Sequence, residues 1–281
     1  MDSSLRREAY KRWRPMAALL LAAVLSVTAL SADALNYPEA SGKKTLKAKK
    51  VTADISNVSR GYFMIKHSGT SKKLKMILYI GKNKIEQYDM DGNGEYNVFP
   101  LTRGSGTYKI EVYENTSKKN YAKIFTDSFK ATIDDPNEAF LFPNRLVNYK
   151  ATSNAVAKSQ ELCAGLTSDE DKVKAVWDFL AKNMVYDYIK AATVKSGYVP
   201  DVDLTLSQKR GICFDYSSLY ACMLRSQGIP TRLVVGNLNV AGNSQYHAWN
   251  SIYLGGKWVH RDATFAQQSY SEKNYSPMYI N

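Results

Sequence analysis

The sequence predicts an all-β domain followed by an α+β domain, and three observations support this fold class. Residues 51–133 hold short β-rich runs that are separated by glycine-rich turns. Helix-like runs cover about 153–164, 167–184 and 213–227. Further along, β-rich runs flank Gly255-Gly256, a pair that is typical of a tight hairpin. A chain of 281 residues is long enough for two domains, which we place at 35–138 and 139–281.

The first domain, residues 35–138, is predicted to be a small immunoglobulin-like sandwich. Its β-rich runs are Gly61–Ile65, Leu74–Ile80, Tyr96–Phe99, Thr107–Tyr113 and Tyr121–Ile133. Several of them alternate apolar and polar residues, and short strands at regular spacing are typical of a sandwich. No catalytic constellation is visible here. We expect His67, the one histidine of this domain, to lie on the surface.

Residues 1–34 have the pattern of a secretory signal peptide. An apolar run, Met16–Leu30, follows a basic segment and precedes Ala32-Asp-Ala34, which fits a small-x-small cleavage site. The basic residues are Arg6, Arg7, Lys11, Arg12 and Arg14. The alternative is a membrane anchor, but a spanning helix needs about 20 apolar residues and this run is shorter. We therefore expect a secreted or cell-envelope protein with no stable membrane span after cleavage.

The chain carries a formal net charge of +12, and much of the basic excess falls in its N-terminal half. Residues 35–135 contain 18 Lys and Arg against 11 Asp and Glu. A solvated lysine-rich surface accounts for this excess, and attraction to an anionic envelope polymer or an acidic protein is the alternative. Nucleic acid is disfavoured as a partner, because export separates the chain from it and no recognition motif accompanies the lysines.

The segment Asp89–Gly94 matches the opening of a calcium-binding loop. The position that should supply a bidentate glutamate is Pro100, and no helices are expected on either side of the segment. We therefore predict a β-turn here and no metal site.

The chain has three cysteines, Cys163, Cys213 and Cys222, which cannot all pair with one another. An exported protein with an odd count is expected to keep at least one free thiol. Cys163 and Cys222 could form a disulfide. We favour two buried free thiols, because both lie on apolar helix-like runs where cysteine packs as a small hydrophobe.

The second domain, residues 139–281, begins with two predicted helices. One covers about 153–164, and a capping box at Thr167-Ser-Asp-Glu170 opens the other. The second helix has an apolar stripe that should face the core, formed by Val173, Val176, Trp177, Leu180 and Met184. The following segment, Tyr186–Leu206, has an irregular pattern, and loops of this kind commonly line a cleft.

Three blocks downstream supply a thiol, an imidazole and a carboxylate: Cys213 after Gly211, His247 in His-Ala-Trp, and Asp262 at the end of Trp-Val-His-Arg-Asp. A thiol nucleophile needs a base to take its proton and a carboxylate to orient that base. The run 213–227 is compatible with a helix, so Cys213 would lie at a helix N-terminus, where the dipole favours the thiolate. A buried core cysteine is the alternative, but it does not explain the downstream His and Asp.

A hairpin register brings the second and third of these side chains together. If Gly255-Gly256 is a two-residue turn, Trp249 lies opposite Asp262. His247 shares the face of Trp249 and is diagonal to Asp262, at a backbone distance of about 7–8 Å that permits a His–Asp hydrogen bond. A slip of one residue would place the two groups on opposite faces. His260 would lie further from the helix, where we expect a structural or cleft-wall role.

The three blocks resemble the transglutaminase-like superfamily, a relative of the papain-like cysteine peptidases, over about residues 167–264. The resemblance implies a papain-related α+β fold and a secreted thiol acyltransferase that acts on carboxamide or peptide substrates through a thioester. Cys213, His247 and Asp262 would form its catalytic triad, and no metal or organic cofactor would be needed. The alternatives are a cysteine peptidase or amidase on the same fold and a non-catalytic envelope-binding protein.

The oxyanion of such a reaction needs hydrogen-bond donors. We expect the backbone N–H of Cys213 to be one of them. The second donor stays open among Gln208, Tyr186 and Tyr188. Asp215, in the first turn after Cys213, is expected to stabilise that helix end.

Overall fold

The computed structural model describes residues 37–265 and 270–281, which belong to one compact unit. The predicted signal peptide, residues 1–34, lies outside the described residues. Among the helices of the described ranges, none is long and apolar enough to cross a membrane.

The N-terminal part is a β region with eight antiparallel strands in two sheets. The strands are β1 Thr45–Ala48, β2 Val51–Asp54, β3 Tyr62–His67, β4 Leu74–Ile80, β5 Asn83–Met90, β6 Asn97–Pro100, β7 Gly106–Ser117 and β8 Asn120–Ala131. One sheet has the order β1-β2-β3-β6 and the other β5-β4-β7-β8. The prediction of a β-sheet region before the α+β part is confirmed. The sequence analysis missed β1, β2 and β5, which are short or mostly polar.

Both sheets contribute to one apolar core. Phe63 of β3 packs against Phe99 of β6 and Phe129 of β8, with ring centroids 5.5 and 5.4 Å apart. Because Phe129 belongs to the other sheet, its contact with Phe63 joins the two inner faces. The immunoglobulin-like assignment goes beyond these two sheets and stays a prediction.

His67 is fully buried, so the expectation of a surface histidine is wrong. Its Nδ1 accepts a hydrogen bond of 3.1 Å from the Gly69 N–H. Burial lowers the pKa of His67 and favours the neutral imidazole. Strand alternation could have predicted this burial, since His67 shares a face with Phe63 and Ile65, both of which are buried.

The C-terminal part is an α+β region with five α-helices and six strands in the described ranges. The helices are α1 Asn154–Cys163, α2 Asp169–Asn183, α3 Tyr188–Thr193, α4 Val202–Gln208 and α5 Cys213–Arg225. The strands are β9 Val185–Tyr186, β10 Arg210–Gly211, β11 Thr231–Val240, β12 Asn243–Leu254, β13 Lys257–Arg261 and β14 Tyr275–Ile280. β9 and β10 pair in parallel, and the other four form an antiparallel sheet in the order β13-β12-β11-β14. Helix α5 packs on β11 and β12.

Two local predictions need correction. The segment Tyr186–Leu206, predicted to be irregular, contains α3 and most of α4. Their N-caps are aspartates, Asp187 and Asp201, whose side chains accept backbone N–H groups of the first turn. The capping box was placed one residue early, because Ser168 is the N-cap of α2 and its Oγ accepts from the Asp171 N–H at 3.1 Å.

The apolar stripe of α2 lies in the core as predicted, with four members buried and Trp177 partly so. The other members are Val173, Val176, Leu180 and Met184. Helices α1 and α5 pack on α2, so this stripe forms the layer beneath the helix that begins at Cys213.

The β region contacts the α+β region through Tyr62 of β3, whose ring centroid is 4.6 Å from that of Phe142, and through side chains on or after β5. The Tyr88 hydroxyl donates to Asn281 Oδ1 at 3.0 Å, and Arg145 Nη1 lies 2.9 Å from Asp91 Oδ2. Asp91 belongs to the segment with the calcium-loop pattern, which here connects β5 to β6 without flanking helices. In the described ranges, no group of three or more His, Cys, Asp or Glu residues could hold a metal ion. The boundary between residues 138 and 139 stays a prediction.

Candidate active site

Cys213 is the first residue of α5, as predicted, and a tight turn positions it there. Asp215 Oδ2 accepts a hydrogen bond of 2.8 Å from the Ile212 N–H and so fixes the start of the helix. A Cβ on Gly211 would lie 2.5 Å from the Asp215 Cβ, so only glycine fits at that position. Cys213 is partly exposed, whereas Cys163 and Cys222 are buried, and all three thiols are free. The prediction that Asp215 stabilises this helix end agrees with its hydrogen bond.

The carboxylate of Asp215 also has two hydrogen-bond partners that the sequence analysis did not identify. Lys190 of α3 places Nζ 2.7 Å from Asp215 Oδ2, and the Tyr198 hydroxyl donates to Oδ1. Asp215 is fully buried, and its charge is balanced by the lysine. These partners lie 25 and 17 residues upstream, in segments with no distinctive pattern, so sequence spacing carries no signal for them.

His247 and Asp262 are joined by a hydrogen bond of 2.7 Å between Nε2 and Oδ2. The register is the expected one, with Leu254 opposite Lys257 across the turn. Gly255 and Gly256 both have positive φ angles, +55° and +80°, which the two-residue turn requires. The structure therefore brings these two predicted site residues together.

The surroundings of His247 favour its charged form. Burial is the largest influence and lowers the pKa, but hydrogen bonds with Asp262 and with Cys213 outweigh it and raise the pKa to about 9. Since Nε2 is bonded to Asp262, Nδ1 is the ring nitrogen that stays available to Cys213. The arrangement can hold an imidazolium beside both side chains.

Asp262 has further donors. The Tyr275 hydroxyl donates to Oδ2 at 2.8 Å, and the Thr264 N–H donates to Oδ1 at 3.1 Å. Tyr275 lies on β14, and no sequence pattern connected it with the hairpin. Aromatic rings cover His247, with Phe265 and Trp249 centroids 5.2 and 6.2 Å away. His247 and Asp262 are both buried in this environment.

Of the three candidates for the second oxyanion donor, the structure brings Tyr186 to Cys213. Burial, followed by the nearby thiol, raises the pKa of Tyr186 to about 12, and both the backbone and the side chain of Cys213 contribute to this shift. The side chain of Tyr188 is 78% exposed, and Gln208 is also exposed. His260 packs against Tyr275 with a centroid distance of 4.2 Å, and burial lowers its pKa. That environment fits a structural role for His260.

A cleft of about 890 Å³ opens onto Cys213 and His247. One wall comes from the α+β region and includes Tyr198 and Tyr246. The other comes from residues 84–87 of β5. The sequence analysis assigned no part of the site to the β region, and the structure corrects this.

The fold and the clustered thiol, imidazole and carboxylate define a cysteine-enzyme fold of the α+β class. Residues 156–263 match the sequence model of the Transglutaminase-like superfamily. The chain therefore contains a transglutaminase-like superfamily domain over these residues.

Individual relatives match more weakly. The Bacillus subtilis protein YebA, itself uncharacterised, is 27% identical over 59% of this chain and 25% of its own length. The human kyphoscoliosis peptidase is 27% identical over 35% of this chain and 16% of its own length. The chain thus covers a quarter or less of these curated relatives. A crystal structure from Cytophaga hutchinsonii, provisionally assigned as a cysteine protease, is 16% identical, covers 85% of this chain and 83% of its own, and has a TM-score of 0.44.

Proposed function

We propose that this protein is an exported thiol acyltransferase that acts on carboxamide or peptide groups. In this proposal Cys213 attacks the carbonyl carbon, and His247 takes the thiol proton and later gives it to the departing amine. Asp262 orients His247. The observation that carries the proposal is the 2.7 Å bond between His247 and Asp262, made while His247 and Cys213 line the same cleft.

The attack forms a thioester between Cys213 and the acyl group, with loss of ammonia or an amine. A second amine can then attack the thioester carbon, which forms a new amide and restores the thiol. Water can attack in the same way and gives a free acid. Transfer therefore requires a site that holds the amine and limits the access of water.

Tyr186 and the backbone N–H of Cys213 are the oxyanion donors in this proposal. A phenol whose pKa is about 12 stays protonated at neutral pH and can donate a hydrogen bond. When a substrate enters, the tyrosine hydroxyl, which lies beside Cys213, would donate to the developing oxyanion.

The expected location is outside the cytoplasm, in the envelope or the medium, on the basis of the leader pattern in residues 1–34. The substrates would be proteins or peptides found there, and no metal or organic cofactor takes part. The excess of 18 Lys and Arg over 11 Asp and Glu in residues 35–135 supports attraction to anionic polymers or acidic proteins.

A cysteine peptidase or amidase is the second candidate, and the similarity to a protein named as a peptidase favours it. The same three side chains serve both reactions. The difference lies in whether an amine or water resolves the thioester.

Partitioning of the acyl-enzyme tests the proposal. The mature protein is incubated with glutamine-containing proteins and a saturating labelled primary amine, and mass spectrometry measures labelled amide against free acid. Labelled amide should dominate, and Cys213→Ala should form neither product. Dominant free acid together with cut peptide bonds would replace the acyltransferase with the peptidase. If wild type and Cys213→Ala give neither product, both enzyme proposals fail.

A further inference from the structure

The free edge of β5 lines the cleft that contains Cys213. Among the described strands β5 pairs with β4 alone, which leaves its other edge without a neighbouring strand. Four consecutive residues, 84–87, line the cleft. Successive side chains of a strand point to opposite faces, so a cleft above one face would meet only alternate residues. Consecutive lining residues show that the cleft runs along the edge.

A β-bulge lies at the same place. Glu86 pairs with Leu78 and Lys84 pairs with Tyr79, so Ile85 is the extra residue. Bulges bend a strand and re-aim its side chains, and they are frequent next to functional sites. Beyond the bulge, Glu86 is half-buried and Gln87 is exposed, so opposite faces of the strand still contribute to the cleft.

The backbone N–H of Gln87 is directed to this free edge. It donates to Oε1 of Glu86 at 3.2 Å, and a side chain can reach it only from the free edge because β4 closes the other one. A substrate carbonyl could take the same donor. Burial, the largest influence, raises the pKa of Glu86 to about 7, so this carboxylate is readily protonated when a ligand covers it.

The edge is held firmly against the site. Tyr88, one residue beyond Gln87, is buried and donates to Asn281 in the α+β region. Asp91, just after the strand, forms an ion pair with Arg145. Tyr246, next to His247, lines the same cleft as Glu86 and Cys213.

We propose that the free edge of β5 binds an extended polypeptide substrate by strand addition, with the Gln87 N–H as a pairing donor, and so presents it to Cys213. The inference rests on the proposed function, because it concerns the substrate of the same site. Strand addition supplies main-chain hydrogen bonds that are independent of sequence, while the cleft selects side chains. The β region is then part of the enzyme's substrate site.

Two reagents that alkylate Cys213 test the proposal without any need for turnover. Iodoacetamide reports on the thiol alone, and acetyl-pentaalanyl chloromethyl ketone adds an extended peptide. The rate constant for the peptide reagent is divided by that for iodoacetamide, and this ratio is compared in wild type, Gln87→Pro and Gln87→Ala. Mass spectrometry locates the modified residue. Proline removes the N–H and is tolerated on edge strands, whereas alanine keeps it. The ratio should fall about threefold to tenfold in Gln87→Pro only, as expected for one lost hydrogen bond.

A second comparison uses wild type alone, in case Gln87→Pro fails to fold. Peptide reagents with N-methyl groups on alternate residues, in both registers, cannot pair fully with an edge, and at least one register should lose the advantage over iodoacetamide. Equal rates for methylated and plain peptides would overturn the proposal, as would equal ratios in a folded Gln87→Pro and Gln87→Ala. If the ratios are as expected but the protein shows no turnover, the edge proposal stands and the proposed function fails. If the protein shows turnover but the ratios do not change, the proposed function stands and the edge proposal fails.

Discussion

The two structures that meet in the site, the turn before α5 and the β12–β13 hairpin, hold their side chains in different ways. The hairpin is local, since a two-glycine turn sets the register and the register sets the distance between His247 and Asp262. The turn depends on residues distant in sequence, because Asp215 is bonded to Lys190 and Tyr198 from earlier segments. In the proposed mechanism the hairpin would supply the base, and the turn would position the nucleophile.

The largest expected effect comes from replacing His247 and Asp262, singly and together. His247→Ala should lower kcat by a factor on the order of 10⁴ or more, and Asp262→Ala should cost somewhat less, by analogy with other triads. The double variant should be little worse than His247→Ala, because the carboxylate acts only through the imidazole. Steady-state kinetics on the three variants check this. Multiplicative losses would show that Asp262 acts independently of His247.

The sequence predicted the hairpin better than the turn for a physical reason. Turn type and strand alternation are short-range properties, so His247 and Asp262 could be placed 15 residues apart and on the same face. Tyr275 and Lys190 reach the site through tertiary packing, which leaves no mark in local spacing. The edge of β5 was missed for the same reason, since its polar residues resemble an ordinary surface strand.

Removal of Lys190 should show how much the turn depends on its distant partner. Lys190→Met leaves the buried carboxylate of Asp215 without its cation, and we expect a loss of about 3 kcal/mol in the free energy of unfolding. The matched control is Lys174→Met, whose pair with Asp178 is exposed and should cost less than about 1 kcal/mol. Denaturant titrations measure both. Equal losses would mean that the Lys190–Asp215 pair does not support the turn.

The contribution of the hairpin to stability should depend on pH. The pKa of His247 rises from 6.5 to about 9 on folding, so this group stabilises the fold fully below about pH 6.5, and the stabilisation is lost as pH rises through about 9. The stability of wild type relative to His247→Gln should therefore fall between pH 6.5 and 9.5. Urea titrations of both proteins across this range measure it. A constant difference would contradict the raised pKa.

Tyr275→Phe should give the smallest effect, and it tests whether distant residues tune the hairpin as well as the turn. Its hydroxyl donates to the same Asp262 oxygen that accepts from His247. Without that donor the carboxylate accepts more strongly from the imidazolium, so the alkaline limb of the kcat/KM profile should move to higher pH. We expect kcat itself to fall only about twofold to tenfold, since one hydrogen bond of ordinary strength is lost.

The control for this variant is Tyr253→Phe, which alters a tyrosine that lies on the same hairpin and packs on Trp258 at 5.3 Å. It should leave both kcat and the alkaline limb unchanged. A loss of rate in Tyr275→Phe without movement of the limb would mean that the tyrosine only packs against the pair. The chemistry of the His247–Asp262 pair would then depend on the hairpin alone, despite the hydrogen bond between Tyr275 and Asp262. The hairpin would differ from the turn, which depends on residues distant in sequence.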